Sequence, residues 1–136
     1  MSALRIEISQ GRTAFEPGEE LTGTVGWKLD KPARAVELRL FWFTGGAGAA
    51  DAGVVETAQF DHPSPDDSRP FRFRLPPAPY SFRGSLITLN WALELVAAGA
   101  TEVARQEITI APGGEAVRLD SLPQFKEKKS FFGSAS

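Results

Sequence analysis

Residues 71–84 read Phe71-Arg72-Phe73-Arg74-Leu75-Pro76-Pro77-Ala78-Pro79-Tyr80-Ser81-Phe82-Arg83-Gly84. The stretch begins with apolar and basic residues in alternation, which is the period of a β-strand. A cluster of prolines then ends the strand, because proline lacks the amide proton that a sheet ladder needs. Residues that precede proline are also biased toward extended backbone. The stretch therefore predicts a strand, an extended crossing and the entry into a further strand.

A second informative stretch lies upstream and reads Phe15-Glu16-Pro17-Gly18-Glu19-Glu20-Leu21-Thr22-Gly23. Pro17 presets φ and Gly18 can adopt positive φ, so the pair predicts a tight turn into a strand. Gly23 falls on the inward row of that strand. A glycine there marks a bulge or a close approach of two backbones.

The alternation extends along the rest of the chain. The predicted inward rows are Leu4, Ile6, Ile8; Leu21, Gly23, Val25, Trp27, Leu29; Val36, Leu38, Leu40, Trp42; Phe71, Phe73, Leu75; and Ile87, Leu89, Trp91, Leu93, Leu95. A weaker strand covers 54–60 and a last one runs near 103–110. About seven strands separated by turn residues predict an all-β antiparallel sandwich of two sheets.

Composition excludes several classes of function. The 136 residues have the size of one domain, and the formal net charge of −2 lacks the basic field that nucleic-acid binding requires. The absence of cysteine excludes disulfides, thiolate metal sites and cysteine nucleophiles. No stretch approaches the ~20 apolar residues of a membrane span. The first residues do not resemble a secretory signal. We therefore expect a cytoplasmic protein with no integral membrane segment and no nucleic-acid partner.

Together the two stretches resemble the paired signature of arrestin-type domains, written F-x-P-G-E-x-L-x-G and F-x-F-x-L-P-x-x-x-P-x-S-F-x-G. The matching residues include Pro17, Gly18, Glu19, Gly23, Leu75, Pro76, Pro79, Ser81, Phe82 and Gly84. The resemblance implies an immunoglobulin-like antiparallel β-sandwich of arrestin type. It also implies a role as a scaffold or adaptor that couples membrane-protein cargo or receptors to sorting or signalling machinery. Members usually carry two such domains, whereas this sequence has room for one.

The predicted domain covers 1–115, and a C-terminal tail covers 116–136. The tail carries Phe125, Phe131 and Phe132 beside several lysines. Such a segment can dock as an extra strand, engage a partner, or stay disordered. We expect it to be partly docked or disordered, and its three phenylalanines are candidate interaction residues.

Phe41 and Phe43 are the other candidate interaction residues. If Leu40 and Trp42 point inward, both phenylalanines face outward and can mark a partner surface. Alternatively, a loop or the tail covers them, or their strand is a central one. Homodimerisation through this pair is a subsidiary hypothesis.

The acidic run between residues 61 and 67 is the remaining segment with candidate metal-binding or catalytic side chains. It combines Asp61, Asp66 and Asp67 with His62, the only histidine, but its spacing fits no EF-hand and no second acidic loop is apparent to complete a site. A solvated turn is the favoured interpretation, and we assign no catalytic, cofactor or metal residues. The sequence thus favours a non-enzymatic protein-interaction module with another protein as partner. The alternatives are a structural subunit of a larger assembly and a small metal-dependent enzyme using this run.

Overall fold

The computed structural model describes residues 3–46, 50–84, 86–98 and 103–118. The strands are β1 (Ala3–Ile8), β2 (Ala14–Phe15), β3 (Glu20–Lys28), β4 (Ala35–Gly46), β5 (Ala52–Asp61), β6 (Asp66–Arg74), β7 (Phe82–Arg83), β8 (Ile87–Ala97), β9 (Val103–Ile110) and β10 (Val117–Arg118). Short 3₁₀ turns occupy Ser9–Gly11 and Pro112–Gly114. In the part of the chain that is described, no helix is long and apolar enough to cross a membrane.

The all-β prediction is confirmed. Among the described residues, seven strands have six or more residues, and each overlaps one of the seven runs of alternating sequence. The turn predicted for residues 61–67 is shorter than expected, because β5 ends at Asp61 and β6 begins at Asp66. Strands β2, β7 and β10 have two residues each. A segment this short has no period to detect, which is why the sequence pattern does not predict it.

The strands form a smaller sheet and a larger one. The smaller sheet has the order β1-β3-β6 and is antiparallel. The larger sheet has the order β10-β7-β8-β4-β5, with β9 also paired to β8 and β2 paired to β9. Its long strands are antiparallel, and the short pairings β2–β9 and β7–β10 are parallel. Strand β4 is central, between β5 and β8.

The core lies between the two sheets and contains most residues of the predicted inward rows, together with Phe15, Ile108 and Ile110. The prediction is wrong for Ile87, which begins β8 and is 38% exposed. Trp27 of β3, Leu40 of β4 and Trp91 of β8 are all fully buried. Because successive side chains of a strand point to opposite faces, the residues between them lie on the outer faces. Each sheet therefore has one face that is buried against the other sheet and one outer face.

The first sequence signature forms a tight turn closed by Glu19. Gly18 has φ +79°, as the turn chemistry predicts. The carboxylate of Glu19 accepts a hydrogen bond from the Glu16 N–H (2.9 Å) and pairs with the Arg12 guanidinium (2.6 Å). That guanidinium also lies 4.5 Å from the centre of the Phe15 ring. Glu19 is thus an architectural residue that holds the entry to β3.

The second signature crosses between strands and is held by buried hydrogen bonds. The hydroxyl of Ser81, which is buried, accepts a bond from the Ile110 N–H (3.0 Å), and the Ser81 N–H donates to the Ile110 carbonyl (2.7 Å). The indole Nε1 of Trp91 donates to the Pro79 carbonyl (3.0 Å), and the Ala78–Pro79 peptide is cis. At the following turn, the Gly84 N–H donates to the Ile87 carbonyl (2.8 Å).

The two signatures also contact each other. The Leu75 N–H donates to the Glu19 carbonyl (2.9 Å), and Nη1 of Arg74 donates to the Gly18 carbonyl (3.0 Å). Residues far apart in sequence therefore form one junction between β3 and β6. Their co-occurrence in the chain has a structural reason, because each stretch satisfies backbone groups of the other.

Replacing Glu19 by glutamine is expected to lower stability in a pH-dependent way. The hydrogen bond from Arg12 and the N–H of Glu16 hold the pKa of Glu19 below its ordinary value of 4.5. A lowered folded-state pKa adds stability that is fully present above the ordinary pKa and is lost as pH falls through the lowered one. Glu19→Gln should therefore reduce the free energy of unfolding by about 0.5–1 kcal/mol at neutral pH. The deficit should shrink below the ordinary pKa.

Urea denaturation over the acid range measures this difference. Glu56→Gln, which removes an exposed carboxylate on β5, is the matched control and should change stability little. If Glu19→Gln lowers the free energy of unfolding as much at the acid end of the pH series as at neutral pH, the loss does not come from the charge of Glu19.

Candidate protein-interaction surface

Phe41 and Phe43 lie side by side on the outer face of the larger sheet. Their ring centres are 5.8 Å apart, and both side chains are half-buried. Trp42 lies between the two phenylalanines in sequence, points to the opposite side of β4 and packs against the core. Leu40, which precedes Phe41, is fully buried on that same side. The outward orientation expected from the alternation is therefore the one observed. The strand is also central, so neighbouring strands cover part of each ring.

Arg105 of β9 reaches across the sheet to both rings. Its guanidinium carbon lies 5.0 Å from the centre of the Phe41 ring and 4.6 Å from that of Phe43. Strand β8 separates β9 from β4, and the residue opposite Phe41 on β8 is Ala92, which is fully buried. Ala92 shares this outer face with Phe41 and Arg105, and its small side chain leaves room for the cation–π contact across β8.

The apolar surface continues onto the edge strand β5. Val54 lies opposite Phe41 in the register and is 59% exposed. The pairing of β4 with β5 shifts after Leu40, so that Val55 is an extra residue in a bulge. We call Phe41, Phe43, Val54, Ala92 and Arg105 the aromatic patch.

Paired charges lie beside the aromatic patch on the same face. Arg39 of β4 is 3.1 Å from the carboxylate of Glu37 and 4.0 Å from that of Glu94 on β8. These partly exposed pairs contribute little to stability. With one arginine to two glutamates, the flank of the patch is polar and acidic in balance.

The outer face of the smaller sheet is different in character. Its described residues are Ala3, Arg5, Glu7, Glu20, Thr22, Thr24, Gly26, Lys28, Asp66, Ser68, Pro70, Arg72 and Arg74. None of these is aromatic, and Arg72 and Glu20 form an ion pair of 3.4 Å. Of the two outer faces described, only that of the larger sheet combines aromatic rings with an exposed aliphatic side chain.

The acidic run is engaged in local structure. Asp67 accepts a hydrogen bond from the Ser68 N–H (2.8 Å) and pairs with Arg69 (3.0 Å), and these contacts lower the pKa of its carboxyl. The preceding loop is held by Nε1 of Trp27, which donates to the Ser64 carbonyl (2.7 Å). Within the described ranges, no three His, Cys, Asp or Glu side chains are placed to hold a metal ion.

Comparison with known proteins identifies the fold. No protein-family model matches the sequence. Arrestin domain-containing protein 1 of mouse is 36% identical over 94 residues, covering 58% of this chain and 22% of that protein, and the human protein gives the same identity and coverage. Among solved structures, the sporulation control protein Spo0M of Bacillus subtilis matches with a TM-score of 0.55 and 19% identity over 81% of this chain.

The chain forms an arrestin-like β-sandwich domain. It spans about a fifth of the length of the curated relatives that it matches, and 49% of the Spo0M chain. The likeness to Spo0M concerns the fold alone at this level of identity. The matches therefore bear on the domain and not on the activity of a whole relative.

The arrestin-like domain assembles only part of the predicted site. Phe41 and Phe43 are together on one outer face, whereas Phe125, Phe131 and Phe132 lie outside the described residues, so their role stays a prediction. The boundary at residue 115 also stays a prediction, although Val117 and Arg118 pair with β7.

Sequence reasoning missed Arg105 and Ala92 as members of the patch. The alternation within β9 already places Arg105 on the outer face, because Ile108 and Ile110 point inward. The sequence does not show that β8 separates β9 from β4, nor which residue of β8 lies in between. The contact therefore depends on a register that no local pattern encodes.

Proposed function

We propose that this arrestin-like domain is a non-enzymatic protein-interaction module, an adaptor or scaffold, and that its partner binds the aromatic patch. One observation carries the proposal. Phe41, Phe43 and Val54 form apolar surface on the outer side of one sheet, while the outer side of the other sheet is polar. Apolar side chains clustered on an outer face are typical of surfaces that a partner covers.

The similarity to arrestin domain-containing protein 1 supports the adaptor class. Arrestin-type domains act as scaffolds and adaptors, and the proposal extends this role to the present chain in the cytoplasm. A structural subunit of a larger assembly would use the same surface. It differs in that the partner would co-purify in fixed stoichiometry without an added bait.

The proposal is tested by pull-down from cells followed by mass spectrometry. The wild type is compared with the double variant Phe41→Ser/Phe43→Ser, which removes both rings. Because aromatic side chains at the centre of an interface each contribute about 1 kcal/mol or more, the double variant should capture its specific partner at least about tenfold less efficiently. Thermal unfolding of both proteins verifies that the variant is folded.

Leu86→Ser is the matched control. Leu86 is 70% exposed at the turn between β7 and β8, so this change removes an exposed apolar side chain outside the aromatic patch. Partner capture by Leu86→Ser should equal that of the wild type. If the double variant is poorly folded, Phe41→Leu/Phe43→Leu takes its place. Equal capture by the wild type and a folded patch variant would contradict the proposal.

A second copy of the chain is one candidate for the partner. Light scattering of the purified protein at high micromolar concentration distinguishes this case. A dimer that becomes a monomer in Phe41→Ser/Phe43→Ser assigns the aromatic patch to self-association. A monomer whose mass is the same in the wild type and the variant rejects the homodimer and directs the search to other proteins.

A further inference from the structure

Arg105 is an exposed cation that contacts two aromatic rings. The guanidinium lies over both Phe41 and Phe43, at 5.0 and 4.6 Å from their centres. Among residues 3–46, 50–84, 86–98 and 103–118, it has no carboxylate within ion-pair distance and no hydrogen-bond acceptor. Within the described part of the chain, its charge is therefore supported by ring faces and not by an anion.

Contact with ring faces occupies none of the hydrogen-bond donors of the guanidinium. Its N–H groups lie in one plane, in a fork that matches the two oxygens of a carboxylate. The rings also restrict the rotamers of Arg105 before any partner arrives. Less side-chain entropy is lost on binding when the group is already ordered.

The surroundings of Arg105 limit the kind of anion that fits. Glu94 lies directly opposite Arg105 in the β8–β9 register, and Glu107 lies two residues further along the same face. A run of several acidic residues would approach both carboxylates and be repelled. A single acidic side chain directed at Arg105 avoids this repulsion.

The apolar part of the aromatic patch specifies the neighbour of that acidic residue. Val54, which is 59% exposed, lies beside Phe41 on the side away from Arg105. A segment that places a carboxylate on Arg105 therefore places an adjacent side chain over Phe41 and Val54. That side chain must be large and apolar to exclude water from the rings.

We propose that the partner segment recognised by the aromatic patch carries one carboxylate side chain next to a large apolar side chain. The carboxylate pairs with Arg105, and the apolar side chain packs on Phe41 and Val54. This inference rests on the proposed function and adds the chemistry of the partner to it.

Selection from a display library of random dodecapeptides on the full chain tests the inference. The enriched peptides should share one Asp or Glu adjacent to a large apolar residue. Replacing that acid by its amide should weaken binding to the wild type about tenfold, the effect of one charge-assisted hydrogen-bonded pair. On the Arg105→Gln variant, the acidic and amide peptides should bind equally. Arg72→Gln, the same change on the outer face of the smaller sheet, should behave as the wild type.

Other results would overturn the inference. One is the enrichment of peptides that contain no acidic residue, and another is the absence of any enrichment on the wild type. A third is that amide substitution weakens peptide binding equally in the wild type and in Arg105→Gln. A phosphoserine peptide that binds Arg105 about tenfold more tightly than the acidic one would also reject the carboxylate as the recognised group. Peptides that lose binding in Phe41→Ser but not in Arg105→Gln would reject this inference and leave the proposed function in place. Failure of the proposed function instead appears as equal partner capture in the pull-down.

Discussion

Replacing Trp91 by alanine is expected to reduce the free energy of unfolding by about 3–5 kcal/mol, the range for a large aromatic residue truncated in a core. Trp91 has no exposed surface and lies among the inward rows of both sheets. Its indole N–H also donates a hydrogen bond to the Pro79 carbonyl (3.0 Å). The variant therefore leaves a cavity and releases the crossing between β6 and β7. Urea or thermal denaturation measures the loss.

Two further variants separate the causes. Trp91→Phe keeps most of the apolar volume but removes the indole donor, so its cost should be clearly smaller than that of Trp91→Ala. Tyr80→Ala truncates a partly exposed aromatic residue nearby and should change stability by less than about 1 kcal/mol. A Trp91→Ala protein with near-wild-type stability would contradict the two-sheet core described above.

Gly23→Ala is expected to be destabilising by about 3 kcal/mol, although it adds only one methyl group. A Cβ at Gly23 would overlap the carbonyl oxygen of Glu7 and come within 2.8 Å of the Phe71 ring. The oxygen belongs to the backbone of the neighbouring strand and cannot move without disturbing the β1–β3 pairing. Of the bulge and the close backbone approach that the sequence allowed at this glycine, the structure has the close approach.

Gly45→Ala is the matched control for this effect. A Cβ at Gly45 would meet only Oγ1 of Thr88, at 3.2 Å, which a small shift of the hydroxyl relieves. Its unfolding free energy should stay within about 1 kcal/mol of the wild type. Equal stability of Gly23→Ala and Gly45→Ala in denaturation experiments would show that the approach of β1 to β3 is looser than described.

Much of the fold is predictable because a strand buries every second residue. The inward row from Leu21 to Trp27 and the row from Leu89 to Leu95 are both read directly from alternation. The short strands β2, β7 and β10 are not predictable, since two residues carry no period. The hydrogen bond from the Leu75 N–H to the Glu19 carbonyl is not predictable either. It joins the ends of two strands whose pairing depends on the whole sheet.

The candidate site is predictable only in part for the same reason. Alternation places Phe41 and Phe43 on an outer face, but the cation that contacts their rings belongs to a strand that is distant in sequence. Arg105 reaches them because Ala92 lies between, and this juxtaposition requires the register of three strands. The acidic run shows the converse, since Asp67 is conspicuous in sequence and is engaged by Ser68 and Arg69 in the structure.

Hydroxyl-radical footprinting of the domain with its captured partner locates the binding face, because it measures side-chain exposure residue by residue. We expect Phe41 and Phe43 to lose reactivity in the complex. Tyr80 and Leu86, which are exposed outside the aromatic patch, should keep theirs. Unchanged reactivity of Phe41 and Phe43 in a saturated complex, with protection elsewhere on the domain, would contradict the assignment of the partner to this face.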